Sequence, residues 1–188
     1  MRRVLLFMLA LAAGPACDGA SAVTPPPEAP PCDDECKDEI AVRAVRETVK
    51  LAFNLTFQGK PVGEYDLAAK CPQGGAVRVT GSATSNAIQG ATEVRIVYQL
   101  EECAYLSKDE DADENYETKI TGVFTQEGVM AVQPTSPTAL IMASPSLKIE
   151  GSVYDPPSPY NVECPLQLGQ TGNALSGKIC GRNVETDL

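Results

Sequence analysis

Between residues 36 and 53 apolar side chains recur at helical spacing: Ile40, Ala41, Ala44, Val45, Thr48, Leu51, Ala52 and Leu55 form one continuous face. The pattern predicts a helix. Asp33, Asp34 and Glu35 precede it, where a helix dipole favours negative charge, and Glu39 stands four residues before Arg43 in the orientation that suits an ion pair. Gly59, Lys60 and Pro61 are its stop signal. The polar face carries nearly balanced charge, so it is expected to pack on its own domain and not on a membrane surface.

After Cys71 the period changes to two. Val77 and Val79 alternate with Arg78, Thr80 and Ser82. Val94, Ile96, Tyr98 and Leu100 share a face opposite Arg95, Gln99 and Glu101. Ile120, Gly122 and Phe124 alternate with Lys119, Thr121 and Thr125, and Leu147, Ile149 and Val153 with Lys148, Glu150 and Ser152. Shorter runs lie at 139–142, 164–168 and 175–180, with Gly, Pro, Ser or Asn clusters between. Such alternation belongs to an antiparallel sheet with one wet and one dry face. The expected fold is therefore mainly β, a sandwich or a partly open barrel, with one N-terminal helix covering part of the dry face.

Composition sharpens this picture. The 188 residues include 15 Gly, 15 Pro, four Phe, six Tyr and no Trp, which leaves few large side chains for a core, so cross-links are the natural supplement. Besides Cys17 there are six cysteines: Cys32, Cys36, Cys71, Cys103, Cys164 and Cys180. They can pair in many ways. Joining neighbours along the chain gives Cys32 with Cys36, Cys71 with Cys103 and Cys164 with Cys180. Cys103 and Cys180 fall on the polar parity of their strands. Either each strand ends before its cysteine or a bulge shifts the register, with Glu101-Glu102 and Gly177 as the places to look.

The beginning of the chain carries an address. Met1-Arg2-Arg3 is followed by an unbroken apolar stretch over 4–13, shorter than the roughly 20 residues a membrane span needs, and then by Ala12-Ala13-Gly14-Pro15-Ala16-Cys17. This resembles a bacterial lipoprotein precursor. Gly14 and Pro15 stand where that pattern has an aliphatic and a small residue. The resemblance implies a signal peptide over 1–16, lipid on Cys17 and attachment to a membrane, most naturally the outer membrane of the cell envelope. Ala20-Ser21-Ala22 offers a second cleavage site that would release a soluble periplasmic or secreted product. The rest of 17–35 is a proline-rich tether, reaching on the order of 40 Å over residues 18–31 if extended, ahead of a single domain over 36–188. The body is similar in style to uncharacterised envelope proteins of Gram-negative bacteria, a similarity that implies no activity.

Candidate chemistry is sparse. Absence of His removes Ser-His-Asp and Cys-His nucleophiles and His-containing metal sites. A net charge of −10 argues against a nonspecific grip on nucleic acid. Cys32 and Cys36 have a spacing zinc could use, but a second close pair is missing. Asp109, Asp111 and Asp113 begin like a calcium loop that then fails, with Glu114 where the turn needs Gly and Ile120 where it needs Glu; a solvated hairpin tip is expected. Ser146 and Lys148 share a face with Glu150, which reads as a solvent-facing stripe and not a nucleophile pair. Asn54-Leu55-Thr56 matches a glycosylation sequon inside the helix. Residues 154–160, with a tyrosine at each end, could form an exposed contact loop.

No catalytic, cofactor or metal residue is assigned, and oligomeric state is left open. The expectation is a non-enzymatic cell-envelope lipoprotein with a structural or interaction role. Two alternatives stand beside it. One is a module that binds a small apolar ligand in a cavity lined by Tyr98, Phe124 and Met142. The other is a hydrolase working through two carboxylates without His.

Overall fold

The structure is a computed structural model of the chain, and it describes residues 30–57, 60, 62–86, 88, 90–131 and 138–188. The expected signal peptide over 1–16, Cys17, most of the expected tether, Gly59 and Pro61 lie outside the described residues. Pro31–Leu188 forms one compact unit.

Helix α1 runs Asp34–Phe57, a turn longer at its end than the apolar spacing predicts. Asp33 caps it: its carboxylate accepts the Cys36 N–H at 3.0 Å, and Asp34 and Glu35 occupy the first turn. Ile40, Ala41, Val42, Ala44, Val45, Thr48, Val49 and Ala52 are all buried. At 100° per residue they cover an arc of roughly 200°, far more than one flat surface can bury. The alanines let neighbouring backbones approach closely, and Thr48 and Thr56 bond their hydroxyls back to Ala44 and Ala52 at 2.8 and 2.7 Å. Leu55 departs from expectation. It is half exposed, because the buried arc continues through Thr56 and Phe57 instead. Arg43 forms no ion pair with Glu39 among the described residues and reaches Thr186 at 2.7 Å and Glu114 at 3.4 Å.

Eight strands follow: β1 (Gly63–Lys70), β2 (Ala76–Asn86), β3 (Ala91–Ser107), β4 (Tyr116–Ala131), β5 (Ala139–Val153), β6 (Ser158–Thr171), β7 (Ala174–Ile179) and β8 (Arg182–Asp187). They form a single antiparallel sheet whose spatial order equals the chain order. Of the two β architectures expected, the single curled sheet is the one formed. β1 and β8 are its two edges, and α1 packs against β1 to β6 and β8, so the sheet curls around the helix.

Two devices produce the curl. Inward-facing glycines let strands press together where a side chain would block them. Gly81 (φ +130°) lies against the backbone of Arg95, and Gly151 (φ +145°) against Glu117, so that a Cβ on either would collide with a carbonyl oxygen. Bulges supply the rest. In β3, Glu101 and Glu102 form an irregularity between Leu100 and Cys103. Glu102 adopts φ +49° and its N–H donates to the Thr121 hydroxyl at 3.2 Å. In β5, Pro145 and Ser146 interrupt the register, so Leu140, Met142 and Ser144 face inward before them and Leu147 and Ile149 after.

The disulfides are Cys32–Cys36, Cys71–Cys103 and Cys164–Cys180. Cys103 regains the inward face through the Glu101-Glu102 bulge. Cys180 takes the other route: β7 ends at Ile179, and Cys180 sits in the turn at φ +51°. The register runs unbroken through Gly177, which is no bulge.

Candidate functional site

The interior is filled. Tyr98, Phe124 and Met142, the residues that would line a ligand cavity, are among the most fully buried side chains of the core. The Tyr98 and Phe124 rings meet edge to face at 6.3 Å, and α1 occupies the space a ligand would need. A polar layer crosses this core. Tyr98 donates its hydroxyl to Gln126 at 2.7 Å, and Arg46 Nε donates to Gln170 at 2.8 Å. Burial pushes the Tyr98 phenol up and the Arg46 guanidinium down. Thr118 and Ser144 hold buried hydroxyls without a hydrogen-bond partner among the described residues.

The strongest polar cluster joins the helix to the end of the chain. Asp38, 2% exposed, faces Arg182 in a bidentate pair with both distances at 2.6 Å, and Tyr160 donates its hydroxyl to the same carboxylate at 2.7 Å. The hydrogen bond to Asp38 holds the Arg182 guanidinium well above its ordinary value, while burial, followed by that of Asp38, raises the Tyr160 phenol. Both carboxylate oxygens are engaged by the cation and one also by the phenol, so the cluster fastens α1 to β6 and β8.

The loop at 154–160 is exposed at Asp155, Pro156 and Pro157, while the tyrosines at its ends are buried. β6 already starts at Ser158, and Tyr154 and Tyr160 anchor the turn from within. The acidic loop at 109–115 is a hairpin tip between β3 and β4, tied internally. Asn115 accepts the Asp109 N–H at 2.8 Å and donates to the Asp109 and Asp111 carbonyls, while Asp111 caps a single 3₁₀ turn, Ala112–Glu114. Among the described residues no group of three or more His, Cys, Asp or Glu could hold a metal, and Cys32 and Cys36 are joined to each other.

On the outer face of β5, Lys148 pairs with Glu150 at 3.0 Å and Ser146 reaches Glu163 at 3.4 Å. The hydrogen bond and charge of Glu150 raise the Lys148 ammonium, the opposite of the shift that would make it a general base for Ser146. Asn54 is exposed on the helix, while Thr56 of the same triplet is buried.

A broad concavity lies outside, across β2 to β6, with a volume of about 750 Å³. Cross-strand register assembles its floor: Ser82 opposite Arg95, Arg95 opposite Glu127, and Glu127 opposite Ile141, which is 64% exposed. Glu93 stands diagonal to Glu127 on the same face. Both are exposed in an open groove that does not exclude water, which does not suit a pair of catalytic carboxylates. Sequence reasoning missed this groove because exposed positions carry no periodic signal. Among the described residues no helix is long and apolar enough to cross a membrane.

No protein-family model, curated protein or solved structure matches the chain.

Proposed function

We propose that the protein is a non-enzymatic lipoprotein of the cell envelope, held to a membrane by lipid on Cys17. On this reading a disulfide-stapled β domain is displayed on a proline-rich tether and acts through its outer surface. One observation carries the interaction role over ligand transport: α1 fills the hollow of the sheet, so Tyr98, Phe124 and Met142 serve as core and leave recognition to the exterior. The three disulfides accord with an oxidising compartment, which the leader also specifies.

Intact-mass analysis of the mature protein from a Gram-negative host tests the anchoring. The expected product begins at a lipidated Cys17 with six oxidised sulfurs, and Cys17→Ser moves the protein out of the membrane fraction. An unmodified chain beginning after Ala22 overturns the anchor, and reduced cysteines in a folded chain overturn the compartment.

A further inference from the structure

The two edges of the sheet differ, and one of them is unguarded. Among the described residues β1 pairs only with β2, and no other backbone hydrogen bond reaches it, so a row of N–H and C=O groups faces outward along Gly63–Lys70. Its inward side chains, Tyr65, Leu67 and Ala69, are only partly buried, whereas those of the central strands are almost completely so. Val62, immediately before the strand, is half exposed. The apolar layer at this edge is unfinished.

β8 is guarded. Its outward face shows Asn183, Glu185 and Asp187 without a cation, since Arg182 is committed to Asp38. Antiparallel self-pairing there, centred on Glu185, would set that residue against its own copy. That arrangement places like charges together.

The β1 sequence is complementary to itself. When two copies run antiparallel about Leu67, Glu64 of each lies opposite Lys70 of the other. Tyr65 then lies opposite Ala69, and Leu67 opposite Leu67. Among the described residues neither Glu64 nor Lys70 takes part in an ion pair. Asp66 is paired with Arg78 of β2 at 2.6 Å and in this register lies opposite Ala68, so it meets no like charge directly. Moving the register by two residues sets Asp66 against Asp66 in one direction, and in the other leaves Glu64 without a cation and offers Lys70 only Asp66, which Arg78 already holds. In the favoured register inward residues meet inward residues, which keeps both helices on the same side of one continuous sheet.

We infer that the free edge of β1 is the docking site for a second copy of this chain, forming an isologous dimer through β1–β1 pairing about Leu67. The inference goes beyond the anchoring proposed above, and its test does not depend on lipid. Neighbouring attachment to one membrane would raise the effective concentration of β1 edges and favour the pairing further.

The test is the concentration dependence of mass for the mature protein, by analytical ultracentrifugation, with a charge-swap series at two exposed positions. Wild type forms a reversible dimer. Glu64→Lys and Lys70→Glu each place two like-charge pairs across the edge and weaken the dimer about tenfold, and the double swap restores it. Circular dichroism verifies that each variant keeps the fold. Amide hydrogen exchange on wild type shows protection of β1 rising with protein concentration. A monomer at every concentration overturns the inference. So does a dimer indifferent to both single reversals, and failure of the double swap to rescue overturns the register.

Discussion

Asp38 is a carboxylate on a helix whose neighbours at 40, 41 and 42 are wholly buried apolar side chains. A lone charge there would be strongly destabilising; the bidentate Arg182 and the Tyr160 hydroxyl compensate it and fix which strand ends meet the helix. The same burial governs the phenols. Tyr98, Tyr116 and Tyr160 all have raised pKa values, with burial as the main cause in each. In an unfolded chain a phenol ionises near pH 10. A folded value above that contributes stability fully present below about pH 10 and lost as pH rises further. Absorbance at 295 nm during alkaline titration should therefore show part of the tyrosine population ionising only as the fold collapses, and urea midpoints should fall steeply above pH 10. Smooth ionisation of all six tyrosines at an unchanged midpoint would contradict the buried assignments.

At the scale of elements, the inward glycines bear the tightest constraint. Gly151→Ala would drive a methyl into the Glu117 carbonyl, whereas a Cβ on Gly172, in the β6–β7 turn at φ +60°, meets nothing within 4 Å. The first substitution should lower stability by about 3 kcal/mol or prevent folding, and the second by about 1 kcal/mol, the strain of a left-handed backbone alone. Thermal melts of the two variants compare them directly. Elements with strict alternation and heavy residues, such as β3 with Val94, Ile96, Tyr98 and Leu100, were legible from sequence, as was α1. β1 escaped because its three inward positions, Tyr65, Leu67 and Ala69, are all half-buried and end on a small side chain, and β8 because Val184 and the polar Thr186 are its only buried positions. The short runs at 139–142 and 147–153 are one strand, disguised by the parity change at Pro145 and Ser146. The outer groove and the β1 edge depend on which residues lie across from one another. Only cross-strand register reveals that.

Over the whole molecule, the cross-links tie the periphery to the core. Cys71–Cys103 closes a separation of 32 residues, Cys164–Cys180 one of 16 and Cys32–Cys36 one of four. On loop-closure entropy, replacing each pair by alanines should cost about 3.5, 3 and 2 kcal/mol in that order, measured by urea denaturation at neutral pH. A reversed order would mean that strand packing, not chain restriction, sets what each bridge contributes. The enclosed helix has a consequence for how the protein is made. The segment at the centre is synthesised before the strands that surround it, so its apolar face waits uncovered until they follow. Arg182, Asp38's partner, lies in β8, the last of those strands, and a product cut short before it would leave the buried carboxylate without its cation. Synthesis that stalls ahead of β8 would thus hold the helix open along one side, within reach of whatever chaperone or protease is nearest.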